Sequence, residues 1–403
     1  MKYVIGGSAA FYGNKGAAAM LEASVQSITA KDQKAEFTLF SLYPEKDRKQ
    51  NTYKNLSVLS TKPVYLALVV NPLALLHKIL IPLRPVIRKN NHIKALYDCD
   101  VYLDEPGISF VDGREKFLIF NVASILPPIL MNKKIVKCAQ AMGPFNNPIN
   151  RFFSKLLLPR ITHIMARGSQ TKKYLQVLNL TNVTPASDYA FLLKISEQEK
   201  KVAQKILTKA KLSPSLNKNY LVICPSRVVE KKCDKLGVDY AGVIADFLNA
   251  KNLENQKFII MAHAAREGSE KPHNNDLPLC KKIFELVDDK NKTVFFNQEI
   301  SAQAQRYIIS TVSACLVSRF HAMIASLSVG VPVGVIGWSH KYKEILSQFG
   351  LEKYAIDLKN LNEKSLGKIY EMTKKDNEKI KSSIKNNIES VKNESLKNTN
   401  AIV

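Results

Sequence analysis

Residues 316–337 read LVSRFHAMIASLSVGVPVGVIG and contain three segments in succession. An apolar run ends at Ser318, a segment with helical spacing follows and stops at Gly330, and a second apolar run starts at Val331. Two short apolar runs that flank a helical segment are typical of a strand, a helix and a parallel strand. The stretch therefore predicts a βαβ unit of an α/β fold.

Arg319 and His321 lie where the first strand of this unit would end and its helix begin. Unpaired backbone N–H groups at a helix N-terminus favour an anion, and the guanidinium fork of Arg319 suits a carboxylate or a phosphate. The helix dipole opposes protonation of His321, which would then rest neutral and still relay protons. A simpler interpretation stays open, in which Ser318 caps the helix beside a solvated arginine.

The chain has 403 residues, 46% of them hydrophobic, which is enough for two domains with separate cores. Apolar runs alternate with helical segments in both halves, so each half is predicted to be a doubly wound α/β layer. The predicted strands include residues 37–42, 56–59, 101–103, 117–121, 134–139 and 161–166, and then 220–224, 258–262, 293–297, 314–317 and 333–336. We predict an N-terminal domain of residues 1–195, a C-terminal domain of residues 196–358 and a lysine-rich helical tail of residues 359–403, frayed at its end.

Charged and polar residues follow several predicted strands of the second half. Arg227 follows the first strand, His263 the second, and Arg319 and His321 the fourth. Because the carboxyl ends of parallel strands meet at one edge of a sheet, we expect these four side chains to share a cleft. Two arginines and two histidines without a carboxylate cluster indicate an anionic substrate.

Residues 13–16, Gly-Asn-Lys-Gly, form a glycine turn between a short strand and a strong helix former. Glycine allows close approach of a ligand, which Asn14 and Lys15 would then face. The spacing matches neither a dinucleotide fingerprint nor a phosphate-binding loop of the GxxxxGK type. A plain tight turn is an equally good interpretation of the spacing.

The formal net charge is +24, with 59 Lys and Arg against 35 Asp and Glu. Such an excess attracts acidic substrates, polyanions or an anionic membrane surface, although a lysine-rich solubilising surface explains it as well. Six scattered cysteines show no metal-ligand spacing and indicate a reducing cytoplasm without a metal site. No secretory signal is recognised at the N-terminus.

Residues 63–87 are rich in Leu, Val and Ile but are interrupted by polar residues and prolines. A membrane-spanning helix needs about 20 clean apolar residues, so we predict a buried or interfacial helix pair. Peripheral membrane contact is the alternative.

Several short motifs together resemble the polysaccharide pyruvyl transferase family, in order along residues 3–355. They are Gly13-Asn14-Lys15-Gly16, residues 140–145 (QAMGPF), Ala166-Arg167-x-Ser169, Ser187-Asp188-x-Ala190-Phe191, His263 with Asn275-Asp276, and Ser318-Arg319-x-His321-Ala322, with Gly330-Val331-Pro332 and Lys341 in addition. The resemblance implies two Rossmann-like domains that face each other across a cleft, similar to type B glycosyltransferases.

The resemblance also implies a reaction, in which a pyruvyl group moves from phosphoenolpyruvate to two sugar hydroxyls as a ketal. Arg319 would bind the carboxylate and phosphate of the donor together with Arg227, and His321 would be the general acid and base. Asn14 and Lys15 would line the cleft on the acceptor side. Ser318, Gly16, His263 and Lys341 complete the predicted substrate-binding residues.

The resemblance requires no metal or cofactor besides the donor substrate. The acceptor would be a sugar, an oligosaccharide or a lipid-linked glycan, and no nucleic-acid partner is expected. Two other functions stay open. A nucleotide-sugar glycosyltransferase would need a carboxylate for the ribose and a stacking residue, for which Glu299 and Trp338 are candidates. A non-catalytic basic protein that binds anions or glycans would need a basic patch with interleaved aromatic residues.

Overall fold

Two parallel β-sheets form the framework of the chain, and each belongs to a different compact unit. The computed structural model describes residues 1–213, 220–254, 256–267, 275–337 and 339–403. The first unit contains Met1–Tyr12, Ala17–Leu193 and Lys392–Val403, and the second contains Gly13–Gly16 and Lys194–Val391. The sequence instead predicts that residues 13–16 belong to the N-terminal domain and residues 392–403 to a separate tail.

The sheet of the first unit has the strand order β3-β2-β1-β4-β6-β7-β8, and β5 pairs with β6. All of these pairings are parallel. The strands are β1 (Lys2–Gly6), β2 (Glu36–Ser41), β3 (Leu56–Ser60), β4 (Val101–Asp104), β5 (Ile108–Val111), β6 (Lys134–Gly143), β7 (His163–Arg167) and β8 (Val183–Ala186).

Helices connect the strands of this sheet, as parallel pairing requires. They are α1 (Lys15–Lys31), α2 (Pro44–Gln50), α3 (Pro63–Tyr65), α4 (Asn71–Ile79), α5 (Arg84–Ile87), α6 (Asn91–Asp98), α7 (Leu118–Leu130), α8 (Pro148–Leu157) and α9 (Gly168–Gln176). A π-helical turn, Leu66–Val70, joins α3 to α4, and a 3-10 turn, Ile81–Leu83, joins α4 to α5.

The sheet of the second unit has the order β11-β10-β9-β12-β13-β14 and is also parallel. Its strands are β9 (Tyr220–Cys224), β10 (Lys257–Met261), β11 (Thr293–Phe296), β12 (Ala314–Val317), β13 (Val333–Gly337) and β14 (Ala355–Asp357). Its helices are α10 (Glu197–Lys209), α11 (Arg227–Asp234), α12 (Tyr240–Leu253), α13 (Leu277–Glu285), α14 (Ala302–Ser310), α15 (Phe320–Ser328), α16 (His340–Ser347) and α17 (Glu363–Lys375). The last helix, α18 (Asn377–Ile402), begins in the second unit and ends in the first.

The predicted fold class is therefore confirmed, with two α/β units that each contain a parallel sheet. The central strands are buried on both faces, which explains their continuous apolar sequences. In the second unit the order corresponds to 3-2-1-4-5-6, so the chain reverses its winding between β9 and β12. Ligands bind at the carboxyl ends of strands at such a reversal point.

One predicted strand, residues 117–121, is wrong. Phe117 ends a 3-10 turn and Leu118 begins α7. The apolar run continues far beyond strand length, to Leu130, and Ile119 is 77% exposed beside a buried Leu118. A helix that buries only part of its surface explains this pattern better than a central strand does.

Three short strands, β5, β8 and β14, were not predicted. Each has three or four residues, which is too few for a clear alternation of apolar and polar side chains. β8 also contains Pro185 and lies at the sheet edge, where proline is tolerated.

The end of the chain is packed rather than frayed, contrary to the sequence prediction. Ser395, Asn398, Thr399 and Ile402 are buried, and α18 continues to Ile402. The Asn398 side-chain oxygen accepts the Ala139 N–H at 2.7 Å. Hydrogen bonds of this kind make the end of α18 part of the first unit.

No helix in the described ranges is both long and apolar enough to span a membrane.

Candidate functional site

The predicted site residues of the second unit gather at the reversal point of its sheet. β9 and β12 are adjacent, with Cys224 paired to Val317, and α11 and α15 start directly after them. Arg227 is the first residue of α11, and Arg319 is the N-cap residue of α15. Two helix N-termini therefore lie at neighbouring strand ends, where unpaired N–H groups favour an anion.

Asp276 organises this strand edge. Its carboxylate is fully buried and binds the Arg319 guanidinium at two points, with Nε to Oδ2 at 2.7 Å and Nη2 to Oδ1 at 2.5 Å. The same carboxylate accepts the Arg227 backbone N–H at 2.9 Å and the Ala264 N–H at 3.0 Å. One side chain thus connects the ends of β9, β10 and β12.

Arg319 stays charged in this setting. Burial of the guanidinium lowers its pKa, but the Asp276 carboxylate more than offsets that effect, so the pKa of Arg319 is raised above its ordinary value. Asp276 occupies Nε and one N–H of Nη2. An arginine has five N–H donors, so the outer edge of the guanidinium keeps donors for a ligand.

Ser318 is held from two sides. Its Oγ and the Tyr240 hydroxyl are 2.6 Å apart, and the Tyr342 hydroxyl donates to the Ser318 carbonyl oxygen at 2.9 Å. Ser318 is buried, so these bonds fix the strand end rather than offer the hydroxyl to solvent. Next to it, the buried Oγ of Ser226 has no hydrogen-bond partner among the described residues. A bound anion would supply one.

The Gly-Asn-Lys-Gly segment lies against the ends of β10 and β11. Asn14 forms an isolated antiparallel bridge with Ala264, and the Lys15 N–H donates to the His263 carbonyl oxygen at 3.2 Å. The Lys15 ammonium is buried and pairs with Glu299 at 2.5 Å, while the Gly13 N–H donates to the same carboxylate at 3.0 Å. Lys15 therefore acts as a fixed structural charge in this structure.

Gly16 lies directly against His321, the histidine predicted to be catalytic. A Cβ atom at Gly16 would lie 2.1 Å from His321 Nδ1 and 2.4 Å from Cγ of the same ring. Any side chain there would displace the imidazole. The His321 ring also packs edge-on against Phe320, with the ring centres 5.2 Å apart.

His263 is buried beside the same cluster. Burial lowers the pKa of His263 well below its ordinary value, and four neighbouring basic side chains act in the same direction. Those groups are His321, Arg319, Lys15 and Arg306. His263 is thus neutral near physiological pH and offers hydrogen bonding rather than charge.

Arg227 and Lys341 are predicted site residues whose side chains make contacts outside the Asp276–Arg319 pair. The Arg227 guanidinium pairs with Glu230 on its own helix and is 32% exposed. The Lys341 ammonium lies over the Phe320 ring, 4.7 Å from its centre. Neither contact joins these two side chains to Asp276 or to the Arg319 guanidinium.

Sequence reasoning missed the roles of Asp276, Glu299, Tyr240 and Tyr342. The sequence indicates Asp276 only as part of a family motif, and Glu299 only as a candidate ribose ligand for a glycosyltransferase. The two tyrosines had no recognisable signal, because a buried hydroxyl that bonds a strand end looks like any core tyrosine in sequence. Trp338, the proposed stacking residue, lies outside the described residues.

No group of three or more His, Cys, Asp and Glu side chains suited to a metal ion occurs in the described parts of the chain. The six cysteines are free and buried. Burial raises the pKa of the Cys233 thiol to about 11, which keeps it protonated.

Comparison with known structures shows similarity of fold. A UDP-GlcNAc 2-epimerase from Neisseria meningitidis, solved with UDP-GlcNAc, aligns with a TM-score of 0.60 at 12% identity over 100% of this chain and 99% of its own. A putative UDP-N-acetylglucosamine 2-epimerase from Listeria monocytogenes gives 0.58 at 12% identity, covering 95% of this chain and 90% of its own. At such identities only the fold is shared.

Comparison of sequences identifies relatives. The amylovoran biosynthesis protein AmsJ of Erwinia amylovora is 20% identical over 243 residues, which covers 59% of this chain. The match spans 57% of the length of AmsJ. The sequence profile of the polysaccharide pyruvyl transferase family matches residues 14–340, a range that contains every predicted site residue except Lys341. The chain therefore belongs to the polysaccharide pyruvyl transferase family.

Proposed function

We propose that the protein transfers a pyruvyl group from phosphoenolpyruvate to two hydroxyls of a sugar, as a cyclic ketal, in the biosynthesis of a cell-surface polysaccharide or glycolipid. The observation that carries this proposal is the Arg319 guanidinium, which Asp276 fixes at two points. Arg319 is the N-cap residue of α15, and His321 follows in the first turn of the same helix. The family and the similarity to AmsJ support polysaccharide modification in general.

Phosphoenolpyruvate is a small anion with a carboxylate and a phosphate. The outer edge of the Arg319 guanidinium offers a planar fork for one of these groups. The buried Ser226 hydroxyl, which directly precedes α11, offers a donor for the other. Asp276 holds the Arg319 guanidinium and, through the Arg227 backbone N–H, the start of α11 next to Ser226, so both parts of the donor site are prearranged.

His321 would move the proton. Protonation of the donor's methylene carbon leaves an oxocarbenium-like C2, which one sugar hydroxyl attacks as it loses its proton. Phosphate then departs from C2 with the C–O bonding pair, and the second hydroxyl closes the ketal and loses its own proton. A positioned histidine contributes roughly 10² to 10⁴ in rate to such steps. The scheme requires no metal or further cofactor.

The acceptor in this proposal is a sugar, an oligosaccharide or a lipid-linked glycan with two hydroxyls close enough to close one ring. We propose that the reaction takes place in the cytoplasm, with the protein peripheral at the inner face of the membrane. The net charge of +24 supports attraction to an anionic surface.

A nucleotide-sugar glycosyltransferase is the alternative, and the described residues favour it less. The Glu299 carboxylate, which would have to hold a ribose, already binds Lys15 and the Gly13 N–H. A non-catalytic basic binding protein would not explain the buried charge network around Arg319.

Isothermal titration of the purified chain with phosphoenolpyruvate, and separately with UDP, tests the proposal. Phosphoenolpyruvate should bind, and Arg319→Ala should abolish that binding. His321→Ala should keep donor binding but lose phosphate release in the presence of glycosides with free 1,3-diols. Binding of UDP without phosphoenolpyruvate would refute pyruvyl transfer and favour the glycosyltransferase. Phosphate release by His321→Ala at the wild-type rate would refute the role of His321 as general acid and base.

A further inference from the structure

A row of large aliphatic side chains stands exposed on the segment from α3 to α5 of the first unit. We call it the apolar face, and it consists of Val64, Leu68, Leu75, Ile79, Ile81 and Val86. Leu68 is 71% exposed, Ile79 62% and Ile81 63%. Residues 64, 68, 75 and 79 have the spacing of one side of a helix, so these exposed side chains form a row rather than isolated positions.

Neighbouring helices carry further exposed apolar residues. α4 packs against α7, which in turn packs against α8. Ile119 at the start of α7 is 77% exposed, and Ile149 and Phe152 on α8 are each 61% exposed. The exposed residues thus lie on helices that pack against one another, and clustered apolar surface marks an interaction site, whereas single exposed aliphatic residues do not.

The sequence around the apolar face is entirely without acidic residues. Residues 48–97 contain no Asp or Glu, and neither do residues 116–187. Six cations accompany the face between residues 62 and 94, and four of them are exposed lysines, at positions 62, 78, 89 and 94. The apolar face therefore has exposed lysines close to it in sequence and no acidic residue in these ranges that would repel an anionic surface.

This combination distinguishes a lipid surface from a protein partner. Protein interfaces are enriched in aromatic residues and depleted in lysine, whereas helices that lie on membranes combine Leu and Ile with Lys and Arg. Long lysine side chains keep their charge at the lipid headgroups while the aliphatic residues enter the acyl boundary. Pro72, Pro82 and Pro85 divide the segment into short helices that suit a position on a bilayer.

We infer that the apolar face is the surface by which the protein docks on an anionic lipid bilayer. The inference deepens the membrane location in the proposed function and does not depend on pyruvyl chemistry. Docking through this face brings the protein to the surface on which a lipid-linked acceptor would be presented.

Sedimentation of the full-length chain with lipid vesicles tests the inference. Binding should be strong to vesicles of phosphatidylcholine mixed with phosphatidylglycerol, weaker to phosphatidylcholine alone, and reduced by salt because exposed charges are screened. The double variant Ile79→Ser with Ile81→Ser should bind the anionic vesicles at least about tenfold more weakly, because two aliphatic side chains no longer leave water. Lys78→Gln should weaken binding by roughly fivefold.

The matched control is Leu236→Ser with Leu286→Ser, two residues of the second unit that are 49% and 45% exposed. This control should bind vesicles like the wild type, and all variants should keep the wild-type circular dichroism. Absence of vesicle binding would overturn the inference. Equal vesicle binding by the Ile79/Ile81 double variant and the wild type would also overturn it. A wild-type dimer in solution that the double variant abolishes would overturn it as well, and would assign the apolar face to a second copy of the chain.

Discussion

Asp276→Asn is expected to disrupt the candidate site, even though the two side chains have almost the same shape. The carboxylate accepts four N–H donors, two on each oxygen. An asparagine at position 276 would provide one oxygen and one NH2 group, so two of the four donors would face another donor in either orientation. The substitution also leaves the Arg319 charge without its partner in a largely buried position.

The magnitude follows from these contacts. Removal of one partner from a buried ion pair costs about 3–5 kcal/mol, and each buried donor left unsatisfied costs about 1–3 kcal/mol. We expect Asp276→Asn to lower the free energy of unfolding by about 3–5 kcal/mol, since Arg319 keeps some access to water at 14% exposure. Urea unfolding followed by circular dichroism measures this loss.

The second expected effect of Asp276→Asn is weaker binding of phosphoenolpyruvate. Titration at low temperature, where the variant is folded, measures it. Affinity should decrease by at least about tenfold, because Arg319 would no longer be held in one orientation. Asp246→Asn, an exposed position on α12, is the control and should change neither quantity. A variant within about 0.5 kcal/mol of the wild type that binds the donor normally would refute the role assigned to Asp276.

Three further substitutions test other parts of the structure. Gly16→Ala should reduce phosphate release by roughly 100-fold by displacing the His321 ring, whereas Gly367→Ala, where an added Cβ meets nothing within 4 Å, should leave turnover unchanged. Arg319→Lys should weaken phosphoenolpyruvate binding by at least about tenfold in titration, because a point charge does not replace the fork. Burial raises the pKa of Glu105 from 4.5 to about 8, so the folded protein holds a proton that the unfolded chain releases. The free energy of unfolding should therefore decrease by about 1.4 kcal/mol per pH unit between about pH 4.5 and about pH 8. Glu105→Gln should remove this decrease, which urea unfolding across the same pH range measures.

Much of the fold was determined by local sequence. The apolar runs of β9, β10, β12 and β13 are short, continuous and separated by helical segments, a pattern typical of buried parallel strands. The same pattern located Arg319 and His321 at the start of α15, because a strand end followed by a helix start is a local feature. The prediction for residues 117–121 is wrong because a short apolar run taken alone fits a strand or a helix, and only the longer run to Leu130 favours the helix.

Only the tertiary structure decided which residues complete the site. The bond between Asp276 and Arg319 joins residues 43 positions apart, and the pair of Lys15 with Glu299 joins residues 284 positions apart. Sequence spacing carries no information on contacts of this kind, which depend on the order of strands in the sheet and on the paths between them. The contact of Gly16 with the His321 ring and the exposure of the apolar face were likewise fixed by packing, since burial is a property of the folded chain and not of a residue's type.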